Sequence, residues 1–380
     1  TVREPVPLSI DAYAARFHEE PGYLDFASVG PIGDAAREET EAFQSLLAGG
    51  RFGSLAPIFE QHARVRAAVS AVTGFRTDQI SFQPNTSQGL MHALFGITGG
   101  VALSPAEFPS LTFATVRAQQ ALGVVAPQWL ETDHGRVTPG NIRDQLDSST
   151  VAVAVSLVDF RTGHLVDLEG IRQVIGDRLL IVDAIQGFGV VDAPYELADV
   201  VAAGGQKWVR AGWGTGFLAL SDRALEHLTP VWSGFTGTEH DGLPLDEVLP
   251  PAGDARAYSL SNGDPIAMAR FAGALEELAD VGVAAVNARL AERVSDVIDV
   301  ADEFALPVVS PRAENQRAGI VVIEPESDQL TVLAAALHNH GVSVTVRGGT
   351  VRLSPHVSTE AESLTLLRSA LLSFATASAR

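Results

Sequence analysis

Two side chains near the middle of this 380-residue chain have the types and the spacing for carbonyl chemistry. Lys207 is the only lysine; the other residues in the lysine-plus-arginine total are all arginines. Arginine stays protonated, whereas a desolvated lysine can lose its proton and attack a carbonyl carbon to form a Schiff base. A leftover surface lysine in a lysine-poor protein explains the count equally well, so spacing has to decide. Asp183 follows the apolar, β-branched run of residues 179–182, which reads as a buried strand. A second apolar run, 200–203, leads into Gly204-Gly205-Gln206-Lys207-Trp208. Neighbouring strands ending this way set a carboxylate beside an amine at the edge where open α/β sheets bind ligands.

That pair is what pyridoxal phosphate (PLP) asks of a protein. The cofactor needs a lysine for its aldehyde, a carboxylate to keep its pyridine nitrogen protonated, and donors for its phosphate. The donors have a candidate upstream. A short strand, Ile80-Ser81-Phe82, runs into Gln83-Pro84-Asn85-Thr86-Ser87-Gln88-Gly89, and a helix is expected over 90–95. A polar loop at a helix start offers free N–H groups to an anion, which makes Thr86 and Ser87 candidate phosphate ligands; an ordinary helix cap is the plainer reading.

With these residues in view, the chain resembles the fold type I PLP enzymes of aminotransferase class V. That family includes cysteine desulfurases, kynureninases, isopenicillin-N-epimerase-like proteins and ergothioneine-type C–S lyases. The resemblance is carried by Asp183-Ala184-Ile185-Gln186, Gly205-Gln206-Lys207-Trp208 and the phosphate loop. Ser156, Val158, Arg161, Thr162 and Gly163 match the family's S-x-V-x-x-R-T-G segment, and Arg352-Leu353-Ser354-Pro355-His356 matches its R-x-S-P-H segment. Ser261-Asn262-Gly263-Asp264-Pro265-Ile266 is similar to the kynureninase S-N-x-P-I segment with one extra residue.

The resemblance implies roles. Gln186 and Gln206 join Asp183 and Lys207 at the cofactor, with Gln186 on its phenolic oxygen. Phe108 stacks on the ring, at a position where desulfurases usually carry a histidine. Arg352 binds the substrate α-carboxylate, where a guanidinium pairs bidentately. Trp232, Ser261 and Asn262 reach the cofactor of a neighbouring subunit, so a homodimer with shared sites is implied. Asp159 and Arg161 could face the cofactor or pair at the surface. The reading is an amino-acid enzyme working through Cα deprotonation, with Cβ–X cleavage of the C–S type preferred. Transamination is the alternative, and epimerisation or non-catalytic PLP binding are further ones. The absence of cysteine argues against passing sulfur to a loop thiol.

Those side chains need a scaffold. Strand and helix runs alternate through residue 208, which predicts a mostly parallel sheet. The resemblance implies an α/β, fold type I PLP-dependent transferase architecture. A large domain with a mostly parallel seven-stranded sheet over 23–250 is joined to a smaller C-terminal α/β domain over 251–380. Residues 1–22 are expected to pack with the small domain, and 233–256 read as a long loop, a lid or a connection. Hydrophobic residues at 46% and charged ones at 19% fit a globular core. A net charge of −20 with no basic stripe disfavours nucleic acid as a partner. No apolar run reaches the roughly 20 residues of a membrane span, and residues 1–17 lack the apolar core of a signal peptide, so a cytoplasmic location is expected. His338 and His340 have no third partner for a metal, and no metal is expected.

Overall fold

The computed structural model describes residues 7–378 apart from 54, 241 and 244. Residues 1–6 of the expected N-terminal segment, and Pro244 of the expected long loop, lie outside the described residues. The strands are β1 (Ile80–Phe82), β2 (Gly99–Leu103), β3 (Val125–Trp129), β4 (Thr150–Ser156), β5 (Leu179–Asp183), β6 (Val200–Gly204), β7 (Gly216–Leu220), β8 (Val321–Ile323), β9 (Thr345–Arg347) and β10 (Thr350–Leu353). The helices are α1 (Ile10–Ala14), α2 (Asp34–Gly49), α3 (Ala56–Thr73), α4 (Thr86–Phe95), α5 (Pro109–Leu122), α6 (Pro139–Arg143), α7 (Leu168–Ile175), α8 (Asp222–His227), α9 (Pro265–Val281), α10 (Val283–Glu303), α11 (Leu330–Asn339) and α12 (Ala361–Ser378).

Strands β1–β7 form one sheet in the order β1-β7-β6-β5-β4-β2-β3. The sheet is parallel except for β7, which runs antiparallel to both β6 and β1. β5 and β6, the two strands read from the sequence, are parallel neighbours, with Asp183 opposite Ala202. Both strands are buried along their whole length, as the continuous apolar runs require.

Side-chain alternation divides the sheet between two cores. Leu180, Val182, Val201 and Ala203 point into one, together with Phe188, Phe217 and Phe271. Leu179, Ile181, Val200 and Ala202 point into the other, which α4 and α5 cover with Leu90, Leu94, Leu111 and Ala114. Asp183 has the parity of Leu179 and Ile181, so its carboxylate faces the α4–α5 side.

The C-terminal part carries a second sheet, the antiparallel β8-β10-β9. Helix α10 packs on β8 and α12, and α11 packs on β10 and α12. Helix α9 instead packs on α2 and α3. The N-terminal segment pairs with the C-terminal part through bridges Tyr23–Ser343 and Asp25–Ser354.

Three elements differ from expectation. Helix α4 starts at Thr86 rather than Leu90, because the Asn85 side chain accepts from the Gln88 N–H and caps it. The run 342–347 reads from the sequence as one strand, but only 345–347 joins the β9 ladder, since Ser343 pairs with Tyr23. Helix α12 is not among the elements expected from the sequence, although Leu364, Leu367, Leu371 and Phe374 are buried at helical spacing.

Candidate active site

The C-terminal edge of the parallel strands converges on Lys207. β6 ends at Gly204, and the chain turns through Gly205 and Gln206 to deliver the lysine beside Asp183. Asp183 is 2% exposed. Its Oδ1 accepts from the Ile185 N–H at 3.1 Å, while its Oδ2 is buried with no partner among the described residues. Burial pushes the carboxyl pKa up, and the Ile185 N–H and the Lys207 ammonium pull against that. Burial pushes the Lys207 pKa down, opposed by Asp183 and reinforced by Arg352. The pair thus favours a lysine that gives up its proton more readily than usual. Its Nζ lies 5.7 Å from the centre of the Phe108 ring, which an edge-on contact with Phe160 at 5.1 Å holds in place.

The first turn of α4 closes another side. Thr86 Oγ1 is buried without a partner, and Ser87 Oγ sits 2.7 Å from Ser110 Oγ at the start of α5. Helix starts leave N–H groups unpaired, so these hydroxyls stand among free donors suited to an anion.

Gln186 is buried beside Lys207 with both ends of its amide engaged. Nε2 donates to Ala27 O at 3.0 Å, and Oε1 accepts from Trp208 Nε1 at 3.1 Å. One N–H of that amide is left to turn toward a ligand. Gln206 folds back over Gly204, and its carbonyl accepts from the Gly30 N–H at 2.8 Å.

Arg352 lies across β10 from this cluster. Its Nη2 donates to Ser28 Oγ at 2.8 Å and to Thr345 Oγ1 at 3.2 Å, and its Nη1 donates to Phe160 O at 3.2 Å. Asp25 is 3.7 Å away. Nε is buried and unpaired. Asp159 and Arg161 pair with each other, at 3.2 Å.

Within this chain, the other expected residues stand apart from Lys207. Trp232 packs on His92 and Phe95, in the last two turns of α4. Ser261 and Asn262 are exposed on the wall of a cavity of about 680 Å³ that also involves His62, Arg66 and Gln83; Lys207 and Asp183 do not line it.

Glu107 is a site residue that the sequence alone does not single out. Glu107 accepts from the Ser156 N–H at 3.1 Å and from its hydroxyl at 2.5 Å; Ser156 is the β4 neighbour of Asp183. Burial and the nearby carboxylates of Asp159 and Asp183 push its pKa up to about 7, against the hydrogen bonds from Ser156. A polar residue preceding the expected stacking ring was the available signal. The segment 25–33 straps the site, and it continues from Tyr23-Leu24-Asp25, which resembles a family segment that passes near the active site. Ser28 holds Arg352, Ala27 O holds Gln186, and Gly30 N–H holds Gln206. Pro31 O accepts from Arg210 Nε at 2.5 Å. The fully buried Arg210 pairs with Glu19 at 2.6 Å, just past the lysine turn.

These residues fit PLP: the unpaired Asp183 Oδ2, the unpaired Thr86 Oγ1 and the free Lys207 amine are the three groups that cofactor uses. The profile of the aminotransferase class-V family matches residues 56–378. The chain belongs to the aminotransferase class-V family. This class-V member is 28% identical over 332 residues to a probable hercynylcysteine sulfoxide lyase of Mycobacterium tuberculosis, covering 81% of this chain and 78% of that one. It is 27% identical over 261 residues to a probable cysteine desulfurase of Methanothermobacter thermautotrophicus, covering 65% of this chain. The match spans 63% of that relative's length. Among solved structures, the cystine C–S lyase C-DES superposes with a TM-score of 0.81 at 17% identity, over 92% of this chain and 97% of that one. C-DES is also seen with glycine covalently linked to its PLP cofactor, with a TM-score of 0.82.

Proposed function

We propose that this class-V member is a PLP-dependent C–S lyase acting on a cysteine-derived amino acid. The observation that carries the reading is the buried, unpaired Asp183 Oδ2 beside the partly desolvated Lys207 amine, under the Phe108 ring. The named relatives, a sulfoxide lyase and a cystine C–S lyase, support the choice of bond. The chain holds no cysteine, so it has no thiol of its own to take up the sulfur.

Lys207 would hold the cofactor aldehyde, Asp183 its pyridine nitrogen, and Thr86 and Ser87 its phosphate. Phe108 would lie on its face, with Gln186 and Gln206 at the rim. When bound, PLP supplies an electron sink for the pair left at Cα. Arg352 takes the substrate α-carboxylate, which replaces Ser28 Oγ as its acceptor. The Lys207 amine would remove the substrate α-proton. The electron pair left behind forms the Cα–Cβ double bond as the Cβ–S bond breaks, and sulfur departs with the bonding pair. Lys207 keeps the proton within the site, and the low-dielectric wall of β5 and β6 keeps water from competing for it.

The reading extends to a homodimer in which Trp232, Ser261 and Asn262 of a second copy complete the site. The exposure of Ser261 and Asn262 along one cavity that the lysine of their own chain does not line supports this, as does the placement of Trp232 against the end of α4.

The test is incubation of the PLP-loaded protein with S-substituted cysteines and no keto-acid acceptor. Repeated turnover with equal release of ammonia, keto acid and thiol is the expected result. One equivalent of keto acid without ammonia would instead mean an aminotransferase.

A further inference from the structure

The β9–β10 hairpin carries a second guanidinium to the substrate side of the site. Its strands are joined by Gly348 and Gly349, with φ of +55° and +86°. A two-residue turn with both φ positive matches the twist of the strands and pins their register. That register sets Thr345 opposite Arg352 and Arg347 opposite Thr350. Side chains two apart share a face, so Arg347 projects on the same side as Arg352, about 7 Å farther along the strand. Thr345 stands between them, hydrogen-bonded to both Arg352 and Asp25.

Arg347 is exposed, and its guanidinium has no hydrogen-bond or ion-pair partner among the described residues. It is nonetheless close enough for its charge to act on both Lys207 and Arg352. Acidic side chains outnumber lysine plus arginine by 46 to 26 in this chain. An arginine left unpaired in such an excess, facing two other cations, marks a place where negative charge arrives from outside. Asp25, the carboxylate on this face, is already engaged by Ser28, Thr345 and Arg352.

We propose that Arg347 binds a second carboxylate of the substrate, so that the preferred amino acids carry an anionic group beyond the Cβ–S bond. This rests on the C–S lyase reading of the site. The α-carboxylate goes to Arg352 and the far one to Arg347, so the leaving thiol takes the second charge with it. The spacing of the two guanidiniums selects side chains of a few bonds past sulfur over short ones.

The test compares S-(2-carboxyethyl)-L-cysteine with S-propyl-L-cysteine, which match in length and differ in the terminal group. The PLP-loaded wild type should favour the anionic substrate by about tenfold in kcat/KM, and Arg347→Gln should collapse that ratio toward one. A ratio near one in the wild type, or one unmoved by the substitution, overturns the proposal. Calorimetric binding of pimelate, which has the same five-atom spacing between carboxylates as the substrate, against heptanoate gives a readout without turnover. Pimelate should bind about tenfold more tightly, and only while Arg347 is present. If neither thioether is cleaved but pimelate keeps its Arg347-dependent advantage, the lyase reading fails and the second-carboxylate site stands. Equal binding of the two acids overturns the site.

Discussion

At the scale of single residues, unpaired buried atoms define the site. Asp183 and Lys207 were legible because each ends an apolar run and because lysine occurs once. Glu107 was much less so, since a polar residue before the stacking ring does not by itself say that its carboxyl will meet the end of β4. Its pKa, raised from an ordinary value of 4.5 to about 7, has a consequence for stability. Between those two values the folded protein keeps a proton that the unfolded chain releases. Stability therefore falls as pH rises through that window. Glu107→Gln should flatten this fall, seen as a smaller difference in Tm between pH 4.5 and pH 8 than in the wild type. Parallel profiles for the two proteins would refute a proton held at Glu107.

At the scale of elements, the lysine turn is gripped from outside by the segment 25–33. A Cβ on Gly30 would sit 2.0 Å from the Lys207 carbonyl oxygen, so no side chain fits there without moving the turn. Gly30→Ala should cost about 1–3 kcal/mol of stability as an overpacking change. It should also cut kcat by roughly a hundredfold, because a shift of about 1 Å misplaces the amine. Thermal melts and single-turnover rates check both parts; an unchanged rate would mean that the strap does not position Lys207. The partner of Gly30 is 177 positions away, so the chain around Gly30 does not name it. The start of α4 makes a related point. The Asn85 cap was compatible with the sequence, yet only the formed hydrogen bond moves Thr86 and Ser87 into the helix.

At the scale of the whole molecule, Trp232, Ser261 and Asn262 lie away from the lysine of their own chain, as residues serving a second copy would. Mixing Lys207→Ala protein with a Ser261→Ala/Asn262→Ala double variant, under conditions that exchange subunits, should restore activity that neither preparation shows alone. No restoration in demonstrably mixed dimers would mean that each site is complete in one chain. Among the described residues, no helix is long and apolar enough to cross a membrane. The sequence by itself determined the alternation of strands and helices, the central Asp–Lys pair and the class-V likeness, because local periodicity and residue type carry that information along the chain. Tertiary structure alone decided that β7 runs against its neighbours, that Arg352 waits on Ser28 and Asp25, and that Arg347 shares its face. Those facts depend on register and on contacts between distant segments, and chain order does not encode either locally.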